Sequence, residues 1–272
     1  MTSCTIRPSE EKINNFINER FAGKTPPPEE NKKALIMVGG PGSGKSSTKS
    51  EALKYLHFDE SSFVDVDPDE ALSSLFENDN GCRKGAIITN GKVFSKAWKE
   101  GYNMIYDGTG KNFDNYSKNP VGYLKRKGYY VVLCITLLDV VKALGRIKDR
   151  AKISGRDIDE DFTRDVYSHL EIGISKYLGI KCTDLDAILI YNNNAEKPSK
   201  PQLLYEMHCP RRTTGVNVRL VDVIGKSPRI VPSVGGRLRK RKTRSLKKRK
   251  SVRRRKSLKR RKISQKTKKG LI

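Results

Sequence analysis

From Arg237 to Ile272 the chain has no acidic residue and no aromatic ring, yet it holds 21 of the 56 lysines and arginines. The rest of the chain carries 35 basic and 30 acidic residues, an ordinary +5 out of the total +26. Without rings the tail lacks the platforms on which single-stranded bases stack, and without acids it cannot neutralise itself. Histidine is scarce, three in 272 residues and far apart. The five cysteines (Cys4, Cys82, Cys134, Cys182 and Cys209) form no CxxC pair. A zinc site of familiar spacing is thereby excluded, and the odd count predicts reduced thiols in an intracellular protein. The longest apolar run, YYVVLCITLL at 129–138, is half of the ~20 residues a bilayer span requires. No signal-peptide pattern opens the chain. These absences predict a soluble, non-secreted protein with no membrane contact.

What the body does contain is alternation. Residues 8–22 place Ile13, Phe16, Ile17 and Phe21 on one side of a short helix, followed by the breaker GKTPPPEENKK. From there, β-rich runs at 34–38, 62–66, 103–107, 130–138 and 187–191 are separated by segments long enough for crossover helices. Apolar strands without a period of two fit a sheet covered on both faces. The expected fold is α/β, a three-layer α/β/α P-loop NTPase architecture with a mainly parallel sheet and a disordered basic C-terminal tail. The expected divisions are an N-terminal helix and linker (1–30), a P-loop kinase domain (31–208), a linker or edge-strand arm (209–236, with GVNVRLVDVI at 215–224) and the tail (237–272). The tail repeats SLKKRK, SVRRRK and SLKRRK from Ser245, Ser251 and Ser257. Six residues turn a helix by about 240°, so Leu246, Val252 and Leu258 could not share a stripe.

IMVGGPGSGKSST, residues 36–48, runs from a predicted strand into a predicted helix. Gly39, four residues, then Gly44-Lys45-Ser46 is the P-loop spacing. Backbone amides wrap a phosphate only where side chains do not intervene, which is the use of Gly39, Gly40, Gly42 and Gly44. With Ser43, Lys45, Ser46 and Ser47 they form the expected nucleotide cradle. Lys45 would reach the β- and γ-phosphates of ATP, and the Ser46 hydroxyl would ligate Mg²⁺. A glycine turn that binds nothing is the plain alternative, and the complete spacing speaks against it.

Three further clusters are expected at the same end of the sheet. FVDVDPDE (63–70) ends the second strand: Asp67 is read as a general base, or as the N-cap of a helix with Pro68 at its first position and Glu70 closing a capping box, and the two roles are compatible. Asp65 is read as a metal ligand or as a strand-end carboxylate. YDGTGKNFD (106–114) offers Asp107 to metal or substrate, or as the cap of a plain glycine turn. The segment 139–162 carries Arg146, Arg150 and Arg156, fixed donors for the spreading charge of phosphoryl transfer, or surface arginines paired to Asp149 and Asp157.

In this order, GGPGSGKSS, VDVD, DGTGKNFD and an arginine-bearing helix leading to GRDID resemble the zeta toxin family of P-loop kinases from about Ala34 to Leu178. The resemblance implies ATP and Mg²⁺ as cofactors, Lys45 on phosphate, Ser46 on Mg²⁺ and Asp67 as the base that activates an acceptor hydroxyl. It also implies Arg150 and Arg156 on the transferring phosphoryl, with Arg146 competing for the place of Arg150, and Asp107 and Thr109 in the acceptor pocket. Asp107 stands where the family pattern has a glutamate, one methylene shorter in reach. Members of the family phosphorylate a nucleotide sugar, and the polycationic tail is foreign to them.

The expected function is therefore ATP-dependent transfer of a γ-phosphoryl group to a hydroxyl of a small molecule, a nucleotide sugar being one candidate, with the tail binding nucleic acid without reading sequence. A solubility tail or a nuclear-targeting signal is the plain alternative, targeting and binding are compatible, and phosphorylation of Ser245, Ser251 or Ser257 would weaken the tail's attraction. The alternatives are a polynucleotide kinase or end-processing enzyme, and a non-catalytic nucleotide-dependent nucleic-acid-binding protein. Location follows as cytoplasmic, nuclear or nucleic-acid associated.

Overall fold

KALIMV is the centre of the molecule. The computed structural model describes residues 4–155, 158–195 and 199–209, and in it strand β1 (Lys33–Val38) is buried at every position after its lysine. Ala34, Ile36 and Val38 pack to one side of the sheet, Leu35 and Met37 to the other. Both faces are covered, which explains why the strand shows no polar alternation. Truncating Ile36 to alanine there would cost about 2–5 kcal/mol.

The chain runs through α1 (Glu10–Phe21), β1, α2 (Lys45–Tyr55), β2 (Phe63–Val66), α3 (Pro68–Phe76), α4 (Arg83–Glu100) and β3 (Asn103–Gly108). It continues through the short helices α5 (Phe113–Tyr116) and α6 (Tyr123–Arg126), β4 (Tyr130–Leu137), α7 (Val140–Ser154), α8 (Glu160–Leu178), β5 (Ala187–Asn192) and β6 (Gln202–His208). The sheet order is β2-β3-β1-β4-β5-β6. The first five strands are parallel and β6 is antiparallel to β5. Helix α2 covers the Leu35 face through Ala52 and Leu53; α1, α3, α4 and α8 cover the Ile36 face. This is the three-layer, mainly parallel architecture expected. The five parallel strands coincide with the five apolar runs within a residue or two.

Two readings need correction, and one strand was missed. The cysteines are not all reduced: Cys4 is bonded to Cys82 and Cys182 to Cys209, while Cys134 is free and buried. The partners lie 78 and 27 residues apart, so local spacing could not disclose them, and the intracellular reading loses the support of its cysteines. The capping box on α3 is incomplete, because Glu70 pairs with Arg20 of α1 instead. One edge of the sheet is β6, a strand that went unread because its QLLYEMH mixes apolar and polar residues at largely half-buried positions; the other edge is β2. The proposed strand at 215–224, the linker and tail of residues 210–272, and Arg156 lie outside the described residues. Among those described, no helix is long and apolar enough to cross a membrane.

Candidate active site

The parallel register sets the site. Val38 of β1 is level with Gly108 of β3 and Ile135 of β4, and Val66 of β2 with Tyr106. The P-loop glycines, Asp67 and Asp107 thus emerge at one end of the sheet, where parallel strands present their C-terminal ends. A cavity of about 480 Å³ opens there, lined among others by Gly42, Lys45, Asp67, Asp107, Thr109 and Arg150.

At the P-loop, Gly42 and Gly44 hold positive φ of 72° and 84°. Gly44 is the N-cap of α2 and has no side chain with which to cap it, so the helix's first amides face the loop unclaimed by a cap. Lys45 donates to the Gly39 carbonyl at 3.0 Å and stands 3.5 Å from an Asp107 carboxylate oxygen. Ser43 is buried, whereas Ser46 and Ser47 are exposed on the first turn of α2.

The carboxylates divide by face. Asp67 caps α3, accepting from the Asp69 amide at 2.8 Å, with Pro68 at the first helical position, and it lines the cavity. Cap and cleft carboxylate are one residue. Asp65, two residues earlier, instead meets Lys49 of α2 at 3.4 Å and does not line the cavity. Burial in the cleft pushes the Asp107 carboxyl up to about 7; Lys45 opposes the rise, while Asp67 and Asp69 add to it. Gly108 beside it makes room for Tyr116: a Cβ there would fall 1.4 Å from the Tyr116 hydroxyl and force that side chain to move. Burial first, then Tyr106 and Asp107, holds that phenol well above its usual range. The turn is fixed from α8, where Tyr177 donates to the Gly110 carbonyl at 2.8 Å.

The two arginines of α7 do different things. Arg150 lines the cavity, whereas Arg146 donates to the Asn193 carbonyl at 3.0 Å, behind the P-loop.

Several residues escaped the sequence reading. Arg83 of α4 pairs with Asp69 at 3.3 Å, and both line the cavity. Phe94, Tyr106 and Tyr116 stack edge to face along its wall. Asn90 of α4 is 6% exposed and also lines the cavity, and none of the hydrogen bonds among the described residues involves its carboxamide. A signal existed: Ala86, Thr89, Asn90, Val93 and Ala97 are the buried residues of α4, so Asn90, beside Thr89, is a polar break in an apolar stripe.

Comparison with known proteins gives the same frame. The zeta toxin family model matches residues 18–198. A shikimate kinase of Clostridium botulinum (strain Loch Maree / Type A3) is 26% identical over 140 residues, 50% of this chain and 78% of that protein. The structure of the PezAT chromosomal toxin–antitoxin system of Streptococcus pneumoniae is similar with a TM-score of 0.59 at 18% identity, covering 82% of this chain and 91% of that one. The AvrRxo1-ORF1:AvrRxo1-ORF2 complex with ATP is similar with a TM-score of 0.53 at 15% identity, covering 83% and 74%. At such identities the two structures speak for the fold. The family match spans more than half of the sequence and contains the whole cleft, and on that ground the chain belongs to the zeta toxin family of P-loop kinases.

Proposed function

We propose that the protein transfers the γ-phosphoryl group of ATP to a hydroxyl of a small molecule seated in the cavity. The observation that carries this reading is that one cavity is lined by Gly42 and Lys45 from the P-loop side and by Asp67 and Asp107 from the neighbouring strands. A phosphate on the loop and an alcohol beside the carboxylates would meet in it. Asp67 takes the proton of the acceptor hydroxyl as its oxygen bonds to the γ-phosphorus, and the bond from that phosphorus to the bridging oxygen breaks, releasing ADP. Lys45 and Arg150 offset the charge on the transferring group, and Arg156 is assigned the same task.

Mg²⁺ fits the donor set. No cluster of three or more His, Cys, Asp or Glu side chains that could hold a metal occurs among the described residues; an Mg²⁺ ion here would be held largely by phosphate oxygens and water. The exposed Ser46 hydroxyl at the head of α2 would hold it, and Asp65, engaged by Lys49, would act only through water. Bound there, the ion supplies charge neutralisation to the phosphates.

The acceptor is proposed to be a hydroxyl compound small enough for the cavity, nucleotide sugars included. Residues 237–272 are proposed to bind nucleic acid through counterion release. The test is transfer of labelled γ-phosphate from ATP into a panel of hydroxyl acceptors, with Lys45→Ala as the inactive control. Deletion of 237–272 should leave that transfer intact and abolish salt-sensitive oligonucleotide binding. ATP binding without transfer to any acceptor would defeat the kinase reading in favour of a non-catalytic nucleotide-binding protein. Activity that requires both the tail and an oligonucleotide would make the acceptor a polynucleotide end.

A further inference from the structure

Two carbonyls of the P-loop are tied off by side chains that the glycine motif does not contain. Tyr167 of α8 donates its hydroxyl to the Pro41 carbonyl at 3.1 Å. Asn193, one residue past β5, donates Nδ2 to the Ser43 carbonyl at 2.7 Å. In a planar trans peptide the C=O and the following N–H point opposite ways. Holding these two carbonyls against α8 and the end of β5 therefore turns the Gly42 and Gly44 amides away from the clamps. Neither amide donates to a backbone acceptor in the loop, whereas the Ser43 amide between them is engaged by the Gly40 carbonyl at 3.1 Å.

The clamps are themselves braced. Asn193 is 6% exposed, its amide donates to the Leu137 carbonyl at 2.8 Å, and its carbonyl accepts from Arg146 at 3.0 Å. They also account for two of the glycines. A Cβ on Gly40 would fall 2.3 Å from the Tyr167 ring, and one on Gly44 would fall 2.1 Å from Asn193 Nδ2.

We propose that Tyr167 and Asn193 are positioning residues that aim the Gly42 and Gly44 amides at the phosphates of a bound nucleotide, with Arg146 bracing Asn193. The proposal rests on the reading of this loop as the nucleotide's phosphate site. It gives Arg146 a task separate from that of Arg150.

Asn193→Asp keeps the shape and sets an oxygen against the Ser43 carbonyl; Tyr167→Phe keeps the ring beside Gly40 and deletes the donor. Binding of a fluorescent ATP analogue and of inorganic tripolyphosphate is measured on the full chain, together with the melting midpoint of each unliganded variant. Both ligands should weaken by the same factor, at least about tenfold for Asn193→Asp and about three- to tenfold for Tyr167→Phe, a single hydrogen bond's worth. The Tyr167→Phe midpoint should stay within a few degrees of the parent. Parental affinity in both variants, or a loss for the ATP analogue that tripolyphosphate does not share, overturns the proposal. If Asn193→Asp does not fold, Asn193→Ser and Tyr167→Phe decide it by the same criterion. Lys45→Ala separates the two levels: should it keep tripolyphosphate as tightly as the parent, the phosphate-site reading has failed, whatever the clamps do.

Discussion

The two ends of the cleft are built on opposite plans. At the end proposed for the phosphates, the proposed working groups beside Lys45 are backbone amides, and side chains hold the backbone through Tyr167 on Pro41, Asn193 on Ser43 and Lys45 on Gly39. At the end proposed for the acceptor, the groups that line the cavity are side chains from the N-cap of α3, β3, α4 and α5, namely Asp67, Asp107, Asn90 and Tyr116. A surface made of backbone tolerates almost no change of residue, because its glycines are in contact. A surface made of side chains can be retuned one residue at a time, which is how one phosphate cradle can serve many acceptors.

The contrast is sharpest at Asp67, where the acceptor end borrows a backbone role. Asn caps a helix as well as Asp does, so Asp67→Asn should leave the melting midpoint and ATP binding unchanged. It should lower kcat by about 10²–10⁴-fold, the range of a lost general base. Steady-state kinetics beside thermal denaturation checks this. A loss under tenfold would move the base to Asp107 and erase the proposed division of labour.

Glycines test the same contrast at second rank. Gly44→Ala meets both positive φ and Asn193 Nδ2, and should cost about 1–3 kcal/mol of stability and weaken ATP binding at least about tenfold. Gly91 of α4 lines the acceptor end, and a Cβ there would meet nothing within 4 Å. Gly91→Ala should stabilise the protein by about 0.5–1 kcal/mol as a mid-helix replacement, leave ATP affinity alone and raise the acceptor KM. Equal effects on ATP from the two substitutions would break the comparison.

That division also decides what could be read in advance. The five parallel strands were legible because a doubly covered strand must be apolar throughout, and the P-loop because phosphate wrapping dictates glycine at fixed intervals. Asp67 was legible as cap and cleft residue together, since its place after β2 follows from the strand itself. Asp65 and Asp67 were both expected at the site end of the sheet, as metal ligand or strand-end carboxylate and as base or cap, yet the structure hands Asp65 to Lys49 and leaves Asp67 in the cleft. Arg146 and Arg150 were likewise separated only by the carbonyl of Asn193, which lies 47 residues further on. Tyr167, Asn193 and both cysteine pairs depend on contacts between distant segments, and no local pattern records them.

Asn90 offers a smaller effect, confined to the acceptor end. A carboxamide buried in the cleft without a hydrogen-bond partner among the described residues is costly unless a ligand or water meets it. Asn90→Leu should hold or raise the melting midpoint while the acceptor KM climbs about three- to tenfold, one hydrogen bond's worth, with kcat and ATP affinity unchanged. A variant that instead loses stability and leaves the acceptor KM at the parental value would make Asn90 a packing residue.

The smallest expected effect lies where the two ends touch, at the Lys45–Asp107 pair. Burial raises the Asp107 carboxyl to about 7 in the folded chain, against about 3.9 when unfolded. Between those values the folded state keeps a proton that the unfolded state releases. The stability tied to that proton is fully present below about pH 4 and is lost as pH climbs through 7. Asp107→Asn cannot lose a proton, so its melting midpoint should gain on the parent's by a few degrees as pH goes from 4 to 7, then run parallel to it above. Subtracting one profile from the other cancels the carboxylates that do not interact with Asp107 and leaves this group with its coupling to Asp67 and Asp69. A flat difference would mean that folding leaves the carboxyl at its unfolded value, with Lys45 offsetting burial, and the two ends would then be joined by an ion pair at neutral pH.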